Sequence, residues 1–224
     1  MEMRLNRFGA LNGNVVKGIV LVCLADGIVG VSYGSLAIGY GFPLWVPLGL
    51  SVLVLAGASE FLFIGIVAGG GSPFAAATAG LLVNARHMPF GMAVKDLIGH
   101  GPARFLGCHI MNDESVVFGV SQSTLAARKA AYWLCGLGIA LCWPLGVIIG
   151  GSIGNLIPDV HSIGLDAVFP TILLALIVSA LKNRRTLLSA ASGTAFALAA
   201  VPWAPIGMPV LFALLGLLIR KRTR

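Results

Sequence analysis

Apolar runs long enough to cross a bilayer recur along nearly the whole chain, separated by short polar or basic stretches. A helix needs about 20 mostly apolar residues to span the hydrocarbon core, and lipid leaves no partner for unpaired backbone groups, so helices are the default. Residues 1–14 are polar and read as a loose cytoplasmic tail. The run 15–41 contains Asp26 and several glycines, among them Gly30 and Gly34. Both features weaken a helical ladder, which predicts a broken helix. Pro43 and Pro47 lead into a span at 44–68, and a third span, 73–94, starts on Pro73, a favoured first-turn residue. After a polar connection holding Lys95, Asp96, His100 and Arg104, the segment 105–126 is apolar at its ends and polar at His109, Asn112, Asp113 and Glu114. It predicts a second broken element, closed by Arg128 and Lys129. Further spans are expected at 130–151, 165–181, 187–201 and 206–219, the last two flanking a proline-rich turn.

This pattern predicts an all-α polytopic membrane protein of six to eight membrane segments. GVSYGSLA at 30–37 matches GVSQSTLA at 119–126 in five of eight positions, each shortly after an aspartate. The expectation is therefore two three-segment repeats, 15–94 and 105–182, plus a C-terminal hairpin at 187–220, in one transmembrane domain. Two orientations fit. If every segment crosses, the repeats are inverted, and all but Arg86, Lys95 and Arg104 of the fifteen Lys and Arg lie on the cytoplasmic side. If 15–41 and 105–126 are re-entrant, six helices cross and all fifteen lie inside. The inverted version is preferred, because broken helices at a midplane site commonly accompany inverted repeats. Both place the C-terminus in the cytoplasm.

Composition sharpens the class. The chain is 58% hydrophobic and only 10% charged, with a mean hydropathy of +0.95. Soluble domains carry about 25% charged residues. The net charge of +7 does not point to nucleic acid, because the basic residues cluster at span ends. Arg4, Arg7 and Lys17 ahead of an apolar run resemble a signal peptide, but Asp26 interrupts the run and no clear cleavage site follows, so a retained N-terminus is expected. Cys23, Cys108, Cys135 and Cys142 show no CxxC spacing and read as packing residues. No nucleophile elbow, zinc-protease motif or nucleotide-binding loop occurs, so the chain is not expected to be an enzyme or to hydrolyse ATP.

Charged groups within apolar runs are costly and point to a polar pocket or pathway. Asp26 is either a partner for a proton or a substrate amine, or a cap at a helix break. Glu60, between AGAS and FLF, is either a titratable group in a pathway or a buried glutamic acid bonded to a carbonyl. Asn84 and His87 are three apart and expected on one helix face, with Arg86 pointing elsewhere. Arg86 could clamp a carboxylate bidentately or snorkel to headgroups. His109 and Asp113, at i and i+4, are expected on one face. Only two aligned ligands result, so no metal site or other cofactor is expected. Asp113 and Glu114 are expected to pair with Arg86 or with a substrate amine. Asp166 reads as a first-turn residue that favours a helix dipole.

The stretches LAGASEFLFIGIVAGG, LLVNARHMPFGMAV, MNDESVVFG and GLDAVFPTILLALIV, with the earlier SYGSLAIGYGF, resemble in order and spacing the motifs of the AzlC family, the large subunits of bacterial branched-chain amino acid exporters. The resemblance covers residues 15–182 well and the terminal hairpin loosely. It implies proton-driven export of branched-chain amino acids from the cytoplasm, an inner-membrane location and a small hydrophobic AzlD-type partner subunit. The matching motif positions are Gly57, Ser59, Asn84, Arg86, His87, Asp113, Glu114 and Asp166. Two positions depart from the pattern: Glu60 replaces a more usual glutamine, and Pro89 a larger apolar residue. A rival reading keeps the same acidic groups for another small solute or a cation. Another makes the chain a non-transporting sensor or assembly subunit.

Overall fold

The computed structural model describes residues 11–154, 174, 178, 181–204 and 208–222. The expected span at 165–181, including Asp166, lies almost wholly outside the described residues. The described residues are mainly helical, without strands, and form two compact units. The first unit holds the described residues up to Gly57 and those from Ala85 to Gly154. The second holds residues 58–84 and the described C-terminal part.

The first unit is organised on two long helices, α1 (Gly13–Gly39) and α8 (Leu125–Gly154). Both are long and apolar enough to cross a membrane. They pack in parallel: Cys23 lies against Cys135, Gly34 against Val147, and Ser35 donates from Oγ to the Gly150 carbonyl at 2.8 Å. The glycines of α1 were expected to break it, yet the helix is continuous. A Cβ on Gly34 would strike the Val147 carbonyl, one on Gly146 the Gly27 carbonyl, and one on Gly150 the Val31 carbonyl. Close approach of the two backbones offsets the propensity cost of glycine. An unbroken α1 of about 40 Å cannot turn back within a bilayer, so the re-entrant reading of 15–41 fails.

The breaks fall elsewhere. The span expected at 44–68 is two helices, α2 (Trp45–Leu53) and α3 (Gly57–Ala68). They are separated at Leu55, which is buried at 4% exposure with φ at 50°. A non-glycine residue in that left-handed region costs about 1–2 kcal/mol and ends the helix there. The span expected at 73–94 is likewise α4 (Pro73–Asn84) and α5 (His87–Val94).

The break expected in 105–126 is present, between α6 (Pro102–His109) and α7 (Asp113–Val120). Its cause is local. The Asn112 side chain accepts from the Ser115 N–H at 2.8 Å, and Ser115 Oγ accepts from the Asn112 N–H at 3.0 Å. This reciprocal box satisfies donors at the start of α7 and fixes where the helix begins. Arg128 and Lys129, expected to close this segment, lie instead in the first turns of α8. The helix α7 runs antiparallel to both long helices, with Phe118 opposite Gly18 and Gly119 against Tyr132. A core of Val94, Leu97, Ile98, Ile110, Val116 and Tyr132 joins the end of α5 to α7 and α8.

Local structure does not reflect the eight-residue sequence match. Residues 30–37 are helical throughout, within α1, whereas 119–126 span the end of α7, a turn and the start of α8. Across the expected repeats, continuous α1 would correspond to broken α6–α7, and broken α2–α3 to continuous α8.

In the second unit, Ile66, Ala76 and Ala79 pack α3 on α4. Here α9 (Arg184–Ala200) lies against α10 (Pro209–Phe212) and the 3-10 helix Ala213–Arg222 that follows it. Gly216 meets the Ser189 carbonyl at that contact.

Candidate functional site

Arg86 and Asp113 of the first unit meet where α7 begins. Arg86, the residue preceding α5, donates from Nη2 to Asp113 Oδ2 at 3.0 Å. The two side chains are 35% and 37% exposed. Asp113 and Glu114 occupy the first turn of α7, where the helix dipole favours negative charge. Asp26 interacts electrostatically with both carboxylates, and Glu114 also feels Arg86. At 1.5 Å per residue, Asp26 lies about 20 Å from the start of α1, halfway along it. The expected pairing of Arg86 with the acidic cluster is therefore present.

Several donors at this site are buried. Asn112 is 6% exposed, and its Nδ2 is buried with no hydrogen-bond partner. The Arg86 Nε is likewise buried and unpartnered. Among the described residues, no three His, Cys, Asp or Glu converge closely enough to hold a metal ion.

Two expected alignments do not occur. His109 ends α6 and Asp113 begins α7, so the cap at Asn112 breaks the helix face they were to share. His109 Nε2 instead bonds the Val52 carbonyl at 2.8 Å, one of the acceptors that α2 leaves unpaired at its C-terminal end. Asn84 ends α4 and His87 starts α5, so they share no helix. His87 makes an edge-to-face ring contact with Phe90 at 5.8 Å. Gly57 has a packing role: a Cβ there would come within 3.0 Å of the Trp143 ring, which stacks on Tyr33.

The second unit carries the remaining candidates. Ser59 and Glu60 lie in the first turn of α3, at 4% and 1% exposure. Asn84 donates from Nδ2 to Ser59 Oγ at 2.9 Å, tying the end of α4 to the start of α3. Gly80 faces the Ser59 Cβ across the same contact.

Sequence reasoning missed Asn112 and Ser115 as the device that sets the break, because serine rather than glutamate or glutamine stands three residues after the cap. It also missed the α1–α8 seam. The signal was present as glycines four apart at 146, 150 and 154.

Comparison with known proteins places this geometry in a family. The model of the family described as AzlC protein matches residues 21–157, a range containing every candidate site residue from Asp26 to Glu114. The chain is also similar to the "Branched-chain amino acid transport protein AzlC" of Bacillus subtilis (strain 168). The two are 25% identical over 196 residues, covering 85% of this chain and 77% of that protein. No solved structure matches. With more than half of its length matched, the chain belongs to the AzlC family.

Proposed function

We propose that this protein is a secondary transporter that exports branched-chain or other small apolar amino acids from the cytoplasm. It is the large subunit of a two-component exporter, working with a small hydrophobic AzlD-type subunit and driven by the proton gradient. The observation that carries this reading is the Arg86–Asp113 pair, set at the break before α7 and close to the midpoint of α1. An amino acid presents a carboxylate, an ammonium and an aliphatic tail. Arg86 suits the carboxylate, Asp113, Glu114 and Asp26 suit the ammonium, and the apolar helices suit the tail. The transport named for the Bacillus subtilis relative supports the same substrate class. Ionisable carboxyls in the pathway supply proton carriers.

The proposed setting is a bacterial inner membrane crossed eight times, with the C-terminus in the cytoplasm. The parallel packing of α1 and α8 is consistent with it, because any odd number of crossings between them, three in this reading, returns the chain to the same direction. That packing also brings Lys17 to the same end as Arg128 and Lys129, as the positive-inside rule expects for a cytoplasmic face.

The test is efflux of labelled valine, leucine, isoleucine and methionine from loaded cells, with and without a co-expressed small subunit. Efflux above the empty-vector control, raised by the small subunit, is expected. Efflux equal to the control for every amino acid would overturn the proposal.

A further inference from the structure

We infer that the Arg86–Asp113 ion pair is the resting occupant of the substrate site, exchanged for a zwitterion on binding, so that the substrate must carry both charges. The inference rests on the amino acid transport reading and specifies what the site recognises. An ion pair that only held α5 to α7 would serve best with its hydrogen bonds complete. Here it is a third exposed, and the Arg86 guanidinium keeps its Nε buried without a partner. Beside Asp113, the Asn112 amide caps α7 through its oxygen and leaves its buried nitrogen unused. Among the described residues these donors have no acceptor, and a carboxylate is an acceptor able to take them. On the acidic side, Asp113 interacts electrostatically with both Glu114 and Asp26, and Arg86 acts on Glu114 as well as pairing with Asp113. Releasing Arg86 to a ligand would leave Asp113 without its cation, and an incoming ammonium takes that place. Among the described residues the carboxyls do not converge with other ligands to metal-ligand geometry, so a compact cation is a poorer match than an extended molecule with a charge at each end.

The exchange sets the specificity. A zwitterion replaces one ion pair by two, whereas a ligand with one charge separates Arg86 from Asp113 and re-pairs only one of them. An unpaired charge is penalised, and because this pair is about a third exposed the penalty is discounted to about tenfold in affinity.

The test uses the purified full-length protein, with its small subunit, and competition against labelled valine. Unlabelled valine is compared with isovalerate, which lacks the amine, and isobutylamine, which lacks the carboxylate. Both analogues are expected to compete at least about tenfold more weakly than valine. Competition by either within threefold of valine would overturn the inference while leaving amino acid transport standing. A panel of other labelled amino acids separates the two ideas further. If valine does not bind but another amino acid does, with its own deamino and decarboxy analogues excluded, the charge requirement stands and the branched-chain assignment fails. If no amino acid binds, both fail. The double exchange Arg86→Asp with Asp113→Arg gives a second measurement. It keeps an ion pair between α5 and α7 but reverses it against Glu114 and Asp26. Valine binding at least about tenfold weaker is expected, with the melting temperature retained. Wild-type binding by the exchanged protein would show that the pair is structural and overturn the inference. An exchanged protein that fails to fold leaves the analogue competition on the wild-type protein as the deciding result.

Discussion

At the residue scale, Arg86 and Glu60 carry the sharpest expectations. Arg86→Ala removes the guanidinium from Asp113 and its electrostatic influence from Glu114. We expect amino acid export at least about tenfold below wild type with unchanged protein in the membrane fraction, because the Asp113 charge is left without its hydrogen-bonded partner. Unchanged efflux would remove Arg86 from the site. Glu60 is 1% exposed in the first turn of α3, where a buried carboxyl can either exchange a proton or remain a fixed hydrogen-bonding group. We expect Glu60→Gln, which keeps the shape and removes the titration, to shift the pH profile of transport. A superimposable profile would make Glu60 structural. Arg86 and its acidic partners could be picked out from sequence because charge inside apolar runs is expensive and therefore conspicuous. The partner of His109, a backbone carbonyl far away in the chain, could not, because a carbonyl carries no sequence signature.

At the element scale, breaks and seams follow from backbone chemistry more than from hydropathy. Hydropathy located the apolar runs well but misplaced the interruptions. Glycines in α1 looked like weak points until the partner helix was present; against α8 they are the contact surface. The break at Leu55 has no glycine or proline at the broken position and was invisible for that reason. A pair of substitutions separates the two roles of glycine. Gly150→Ala places a methyl against the Val31 carbonyl and should destabilise the protein by about 1–3 kcal/mol, as overpacking does. Gly65→Ala, in α3 with nothing within 4 Å, should stabilise it by about 0.5–1 kcal/mol. Thermal unfolding of the purified variants reads both, and equal shifts would contradict a glycine-dependent seam. Asn112→Ala should cost about 1 kcal/mol through the lost cap, and it should impair transport beyond that because Asp113 follows directly. Loss of stability with wild-type transport would show that the start of α7 need not be fixed for function.

At the scale of the whole molecule, the first unit joins a membrane-length scaffold to an interrupted segment that carries charge. Parallel α1 and α8 supply two continuous helices, and the acidic start of α7 acts electrostatically on Asp26, halfway along α1. That arrangement lets backbone ends and ionisable side chains be sheltered by protein instead of lipid. The all-helical character and the family were legible in the sequence through hydropathy and ordered motifs. The proposed three-segment repeat rested on an eight-residue likeness that local structure does not share. The most direct test of the central claim is counterflow in proteoliposomes containing the protein and its small subunit. Vesicles preloaded with unlabelled leucine should accumulate labelled leucine above equilibrium, and vesicles with Arg86→Ala should not. Accumulation no greater than in protein-free vesicles, with correctly folded protein present, would contradict amino acid transport.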